Sequence, residues 1–270
     1  MTASVVTPVP AATIMLLRAG ATKPEVLLLQ RHAKSEFLPD LYVFPGGRVD
    51  PGDHELADRV SGLSAEEARL RIDTDDPAAA LAFFVAAIRE TFEEAGVLLA
   101  RKRGKRELIS GSLAAELSRY RLKLQSGELT LREIIEAEDR ELVADGLAVH
   151  GRWITPEMVP RRFDTLFFTA AAPVDHLATH DGIESTDHLW IAPEMALAQA
   201  LNKERQMILP TMANLQTIAE FEEVGAVLEY SRSRKIVPVL PQVVGKGADR
   251  ELVIPDDAGY SMTPEMLALP

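Results

Sequence analysis

At 270 residues the chain is long for one small domain and short for two full ones, which points to one α/β domain enlarged by insertions. Apolar residues make up 47% and charged residues 26%, excluding wholesale disorder and fibrous or low-complexity architecture. The absence of cysteine excludes disulfide frameworks, thiolate metal sites, Fe–S clusters and cysteine nucleophiles. With 29 basic against 41 acidic residues the net charge is −12. That argues against nucleic acid as a partner but not against a small phosphorylated substrate, because a few arginines or a metal ion can invert the field inside one cleft.

The first ten residues lack a basic start and an apolar core, so they do not read as a signal peptide. The longest apolar stretches, 11–17 and 77–88, are shorter than the ~20 residues of a membrane span. The last four residues, Leu-Ala-Leu-Pro, carry no retention or lipidation signal. A cytoplasmic protein without a membrane partner is expected.

In chain order, residues 12–17 and 25–31 predict two strands joined by a turn at Gly20, Thr22, Lys23 and Pro24. A short extended segment at 41–44 stops at Pro45-Gly46-Gly47, and a polar helix follows at 64–71. Next comes the clearest helix, 77–95: Asp76 is its N-cap, Pro77 its first residue and Gly96 its C-terminal cap. Residues 104–150 read as mostly helical, with helices at 113–124 and 131–142. Strands are expected at 153–154, 163–171 and 189–191, a helix at 192–200, a last long helix at 203–222, and a closing hairpin or strap beyond. No internal repeat or long linker interrupts this order, so 1–270 reads as one domain.

At ~100° per residue, Leu81, Phe84, Val85, Ile88, Phe92 and Ala95 share one arc of the 77–95 helix. Glu90, Glu93 and Glu94 share the opposite one. Three carboxylates at i, i+3 and i+4 repel one another, and the last helical turn is already negative. A solvated acidic face is one explanation. The other is a hard divalent cation, which prefers oxygen ligands and would remove the repulsion.

The run Arg89-Glu90-Thr91-Phe92-Glu93-Glu94-Ala95-Gly96-Val97, preceded by Phe44-Pro45-Gly46-Gly47, resembles the signature of the Nudix hydrolases, Gly-x5-Glu-x7-Arg-Glu-U-x-Glu-Glu-x-Gly-U with U apolar. Thr91 replaces the usual aliphatic residue, and Asp53 stands where the family has its first glutamate. Thirty-five residues, 54–88, separate Asp53 from Arg89 where the family has seven, which places an insertion at 54–81. A split signature, the Val-Phe-Pro-Gly-Gly approach and the segment Arg161-Arg162-Phe163-Asp164-Thr165 are similar to the long-insert branch that includes the mammalian peroxisomal coenzyme A diphosphatase.

That resemblance implies a Nudix α/β/α sandwich with a mixed sheet plus a helical insertion, and further helical material at 104–148. It implies Mg²⁺ or Mn²⁺ held by Glu90, Glu93, Glu94 and the Gly46 carbonyl, with Arg89 positioning Glu93. Glu93 or Glu184 would accept a proton from the attacking water. Arg31, Arg48 and Arg162, with the Gly47 backbone, would bind phosphates. Asp53 has an open role, as metal-site acid or bystander. The basic run 101–106 reads as a solvated loop or a peripheral phosphate contact, the six histidines show no metal-ligand spacing, and Trp153 and Trp190 read as core. The implied reaction is hydrolysis of a diphosphate linkage, with coenzyme A or its acyl esters as substrate and 3′,5′-ADP and a phosphopantetheine as products. An ADP-ribose, dinucleotide or nucleotide-sugar pyrophosphatase, a non-catalytic Nudix ligand-binding module, and a homodimeric assembly are compatible with the same residues.

Overall fold

The computed structural model describes residues 6–35, 38–245 and 250–267. The residues on which the reading of the two chain ends chiefly rests, 1–5 and 268–270, lie outside them.

The chain opens with β1 (Val9–Ala19) and β2 (Pro24–Arg31), antiparallel through Leu17↔Val26 and Ala19↔Pro24. Short strands β3 (Tyr42–Val43) and β4 (Gly46–Arg48) follow, then one helical turn, α1 (Pro51–His54). The insertion contributes β5 (Val60–Ser61) and α2 (Ala65–Ile72), leading into α3 (Pro77–Ala95). After β6 (Ala100–Lys102) come three short helices, α4 (Gly111–Leu117), α5 (Arg121–Gln125) and α6 (Leu131–Ala137). Strands β7 (Arg140–Val143), β8 (Ala148–Ile154), β9 (Phe163–Ala171) and β10 (Ser185–Ile191) precede α7 (Pro193–Leu201), α8 (Leu209–Ile218) and α9 (Val224–Ser233). The chain then forms β11 (Pro238–Val239), the hairpin β12 (Gln242–Val244) with β13 (Glu251–Val253), and α10 (Pro264–Leu267).

The main sheet runs β10-β2-β1-β9-β8-β11. It is mixed: β1 and β9 are parallel, as are β8 and β11, and the other pairs are antiparallel. Its central strands are buried on both faces, which is why 12–17 and 25–31 read as near-continuous apolar runs. Ile14, Leu16, Leu27 and Leu29 face α3 and the insertion; Met15, Leu17, Val26 and Leu28 face the layer containing α7, α8 and α9. This is the α/β/α sandwich. A small second sheet, β5-β7-β6, ties the insertion to the middle of the chain.

Helix α3 has the predicted bounds and caps. Asp76 accepts from the Ala78 and Ala79 amides at 3.0 and 3.1 Å, and Gly96 at φ +71° donates to the Phe92 carbonyl. Its apolar stripe is fully covered, with Phe84 packed at a tilt against Phe168 at 4.7 Å between ring centres. The alanines Ala80, Ala82, Ala86 and Ala87 are buried too, so α3 is enclosed well beyond one arc.

Two parts of the sequence reading need correction. Residues 140–143 and 148–150 are strand and 144–147 a turn, not helix: α6 ends at Ala137, Asp139 turns the chain at φ +49°, and β7 then pairs with β5 and β6. The expected long helix at 203–222 is shorter, α8 over Leu209–Ile218, and is not the last: Lys203 at φ +61° terminates the segment after α7, Pro210 sits in the first turn of α8, and a separate α9 follows.

Phe84→Ala removes a fully buried ring between α3 and the sheet. It is expected to lower unfolding stability by about 3–5 kcal/mol, read as a fall in the urea midpoint at constant m-value.

Candidate active site

Strand β1 has two partners along one edge. Residues 17–19 pair with β2 and residues 11–13 pair with β4. The sheet forks there, and Gly46 and Gly47 sit at the fork. A side chain at Gly46 would lie 2.7 Å from the Thr13 Cα, and one at Gly47 would lie 2.6 Å from the Glu90 carboxyl carbon. Only glycine lets this backbone pass between β1 and the last turns of α3.

Arg89 is 7% exposed, and its guanidinium uses all five of its donors. Nε and Nη2 grip both oxygens of Asp53 at 2.8 and 3.0 Å. Nη2 also donates to the Arg48 carbonyl at 2.8 Å, while Nη1 donates to Glu90 at 2.8 Å and Glu93 at 3.2 Å. Asp53 also accepts from the Asp50 amide at 2.8 Å. Its place is therefore behind the arginine, as the anchor of Arg89. Burial alone would disfavour a charged guanidinium, but its bonds to Asp53 and the fields of Glu90 and Glu93 reverse this and hold it firmly protonated.

The three glutamates on the far arc of α3 are enclosed, not solvated. Glu94 is 3% exposed and accepts from the Gly46 amide at 3.0 Å. Burial pushes its pKa well up, and the neighbouring Glu90 adds to the rise. Burial likewise lifts Glu90, to about 7, against the pull of Arg89. Glu93 is raised by burial as well. Buried carboxylates that raise one another's pKa, set against one fully engaged arginine, are a site short of positive charge. A divalent cation fits this oxygen-rich donor set. Thr91, at the aliphatic position of the signature, is fully buried and donates to the Ala87 carbonyl at 2.6 Å, so its hydroxyl costs little there.

Glu184 lies on the loop before β10. The Asp181 carboxylate organises this loop, accepting from the Ile183, Glu184 and Ser185 amides at 2.9–3.1 Å. The Glu184 carboxylate adds to the upward shift of Glu90 and Glu94, and Arg31 opposes that of Glu94. Arg31, Gly46, Gly47, Arg48, Arg89, Glu90, Glu93 and Glu184 all line one cleft of about 1000 Å³. Its remaining wall includes Phe44, Trp153, Phe163, Phe167 and Leu209.

Arg162 is placed elsewhere. It is 5% exposed and donates to the carbonyls of Thr155 and Val6 at 2.9 and 2.6 Å, a structural role that leaves its neighbour Arg161 in the cleft wall. The basic run at 101–106 lies on and after β6, with Arg101 paired to Glu141 at 2.6 Å, away from the cleft lining. Trp153 is 3% exposed and packs on Tyr260, as a core residue does, although its ring also reaches the cleft wall. Trp190 packs against the core with Arg18 over its ring.

Sequence reasoning missed Arg121 and Gln125 on α5. Arg121 donates twice to the Glu93 carbonyl, at 3.1 and 2.9 Å, and Gln125 donates once, at 3.2 Å. They satisfy an orphan carbonyl at the C-terminal end of α3. Gln125 also reaches Asp181 at 2.6 Å, tying α3 to the Glu184 loop. Nothing local in the sequence marks either residue.

Two outcomes are expected from this geometry. Glu90 binds a proton in the folded, metal-free protein up to about pH 7, whereas the ordinary value is 4.5. Folding therefore takes up protons between these values, and stability falls as pH rises through that window. Thermal melts in chelator should show this loss, and Glu90→Gln should reduce it, Glu93 and Glu94 supplying the remainder, and be more stable at pH 8 by on the order of 2 kcal/mol. Gly47→Ala should push the Glu90 carboxylate aside and weaken divalent-cation binding by roughly 10–100-fold, measured by calorimetric titration.

The comparisons with known proteins agree with the geometry. The family model for the NUDT19 Nudix domain matches residues 66–218. The acyl-coenzyme A diphosphatase NUDT19 of Gallus gallus is 28% identical over 252 residues, covering 80% of this chain and 67% of that protein. The Homo sapiens protein of the same name is 26% identical, covering 83% of this chain and 72% of that one. The crystal structure of a Nudix hydrolase from Alicyclobacillus acidocaldarius superposes with a TM-score of 0.67 at 28% identity, covering 84% of this chain and 97% of that one. The split signature, the sandwich and the buried carboxylates are those of the Nudix hydrolases, and the chain belongs to that family as a relative of NUDT19.

Proposed function

We propose that this Nudix pyrophosphohydrolase cleaves the diphosphate linkage of coenzyme A or an acyl-coenzyme A, giving 3′,5′-ADP and the corresponding phosphopantetheine. The observation that carries the reading is the composition of the one cleft. Arginines and carboxylates line part of it, and Phe44, Trp153, Phe163, Phe167 and Leu209 line the rest. A volume of about 1000 Å³ is at the upper end for small-molecule sites, which suits a nucleotide carrying a long, weakly polar arm. The names of the relatives from Gallus gallus and Homo sapiens point to the same substrate class.

Nudix hydrolases use divalent metal cations. In this chain Glu90, Glu94 and the Gly46 carbonyl are the proposed ligands for Mg²⁺ or Mn²⁺, with Glu93 as a further ligand or base. Held there, a divalent cation would supply charge neutralisation at the diphosphate and lower the pKa of a bound water. The chain's own residues do the rest. Arg89 holds the Glu90 and Glu93 carboxylates in fixed rotamers through one guanidinium. The Gly46 amide fixes Glu94. Arg31 and Arg48, joined by Arg161, bind phosphate oxygens at the cleft wall. Glu93 or Glu184 takes the proton from the nucleophile; Glu184 is the more exposed of the two candidates and lies on a loop. No helix among the described residues is long and apolar enough to cross a membrane.

The test is a substrate panel read by mass spectrometry: coenzyme A, acetyl-coenzyme A, ADP-ribose and NADH, each with Mg²⁺, Mn²⁺ or chelator. Metal-dependent release of 3′,5′-ADP from the coenzyme A substrates is expected, lost in Glu94→Gln. Whichever of Glu93→Gln and Glu184→Gln removes the base should lower kcat by about 10²–10⁴-fold with KM little changed. Release of AMP from ADP-ribose alone would move the substrate within the family. Turnover of none of them by folded protein would overturn the enzymatic reading.

A further inference from the structure

Two histidines close the loop that carries Glu184. His180 precedes the loop, and His188 lies on β10 beyond it. Their Nδ1 atoms are 2.9 Å apart, and the His180 amide lies 3.4 Å from the same His188 nitrogen. An amide can only donate, so the His188 Nδ1 presents a lone pair toward His180. A ring nitrogen that presents its lone pair is in the state that ligates metal.

A third donor, Asp187, stands next to His188 on β10. The pairing of β10 with β2 shifts register between Ser185 and Asp187. In a regular strand Asp187 and His188 would point to opposite faces. One ligand atom each of His180, Asp187 and His188 nevertheless falls within 4.8 Å of the others. Tetrahedral Zn²⁺ with Zn–N bonds of about 2.0–2.1 Å separates its nitrogens by roughly 3.3 Å. The imidazoles need to part by only a few tenths of an ångström to admit it.

We infer that His180, Asp187 and His188 form a second metal site, taking a borderline transition ion such as Zn²⁺ with a water as fourth ligand, and that this ion clamps the Glu184 loop. Two imidazoles and one carboxylate differ in kind from the all-oxygen set on α3, and imidazole donors favour zinc over magnesium. The loop between the ligands already has internal order: Asp181 caps the Ile183, Glu184 and Ser185 amides, and His32 donates to the Glu184 carbonyl at 2.8 Å. A metal joining residues 180 and 188 would remove most of the freedom left at its two ends. Glu184 would then face the cleft from a fixed base. The inference does not depend on which diphosphate is cleaved.

The experiment is equilibrium dialysis with Zn²⁺ of full-length wild type, His180→Asn, His188→Ala and Glu94→Gln, with bound zinc counted by elemental analysis. Both histidine variants should hold one zinc fewer than wild type, while Glu94→Gln keeps the histidine-bound ion. Hydrogen exchange over 181–185 should slow on adding zinc to wild type and to Glu94→Gln, and stay unchanged in either histidine variant. Circular dichroism establishes that each variant is folded, and His180→Asn, altered in a loop, serves where His188→Ala is not. Equal zinc in wild type and the histidine variants, or no zinc in wild type, would overturn the site and leave the pair as a histidine–histidine hydrogen bond.

Discussion

The site is organised around one guanidinium with no donor to spare. Arg89 joins α1 through Asp53, the glycine turn through the Arg48 carbonyl, and its own helix through Glu90 and Glu93. A buried arginine left without its carboxylate is strongly destabilising, so the Asp53 contact is a condition for placing Arg89 at all. Once placed, Arg89 determines where two acids of α3 point. It offsets only part of their charge, and the residue of negative charge is what a cation would meet.

The sheet supplies the space that this cluster needs. Because β1 gives one half of its edge to β2 and the other half to β4, the strands diverge and a cleft opens beside the glycines. The two faces of the sheet then serve different ends. One receives α3 with its buried alanines and aromatic stripe. The other, with Phe44, Trp153 and Phe167 in its own apolar cluster, contributes the greasy part of the cleft wall. Polar chemistry and apolar binding surface therefore come from separate layers that meet at the fork.

Much of this was legible in the sequence wherever the signal is local. Both caps of α3, the apolar runs of β1 and β2, and the Arg-Glu-x-x-Glu-Glu spacing are properties of neighbouring residues. What was illegible depends on partners distant in the chain. Residues 140–143 form a strand because β5 and β6 flank them, and no periodicity over so few residues could show it. Arg162 and Arg161 are indistinguishable as letters; only the fold turns one toward carbonyls and the other toward the cleft. His180 and His188 meet across a loop, so no helical or strand repeat links them. Pro210 is the exception, a local sign that the helix within 203–222 starts at α8.

The long insertion inside the signature has a kinetic consequence. Asp53 and Arg89 are 36 residues apart in sequence yet in direct contact, so this ion pair closes a loop that contains all of α2 and most of α3. Closing such a loop costs chain entropy before any contact returns it, and pairings of high sequence separation form late in folding. Glu90 and Glu93 therefore cannot take the rotamers that Arg89 holds until this loop has closed. A newly made chain would hold its secondary structure before it holds a functioning centre, and the ability to bind a cation at these acids would mark the last step of its maturation.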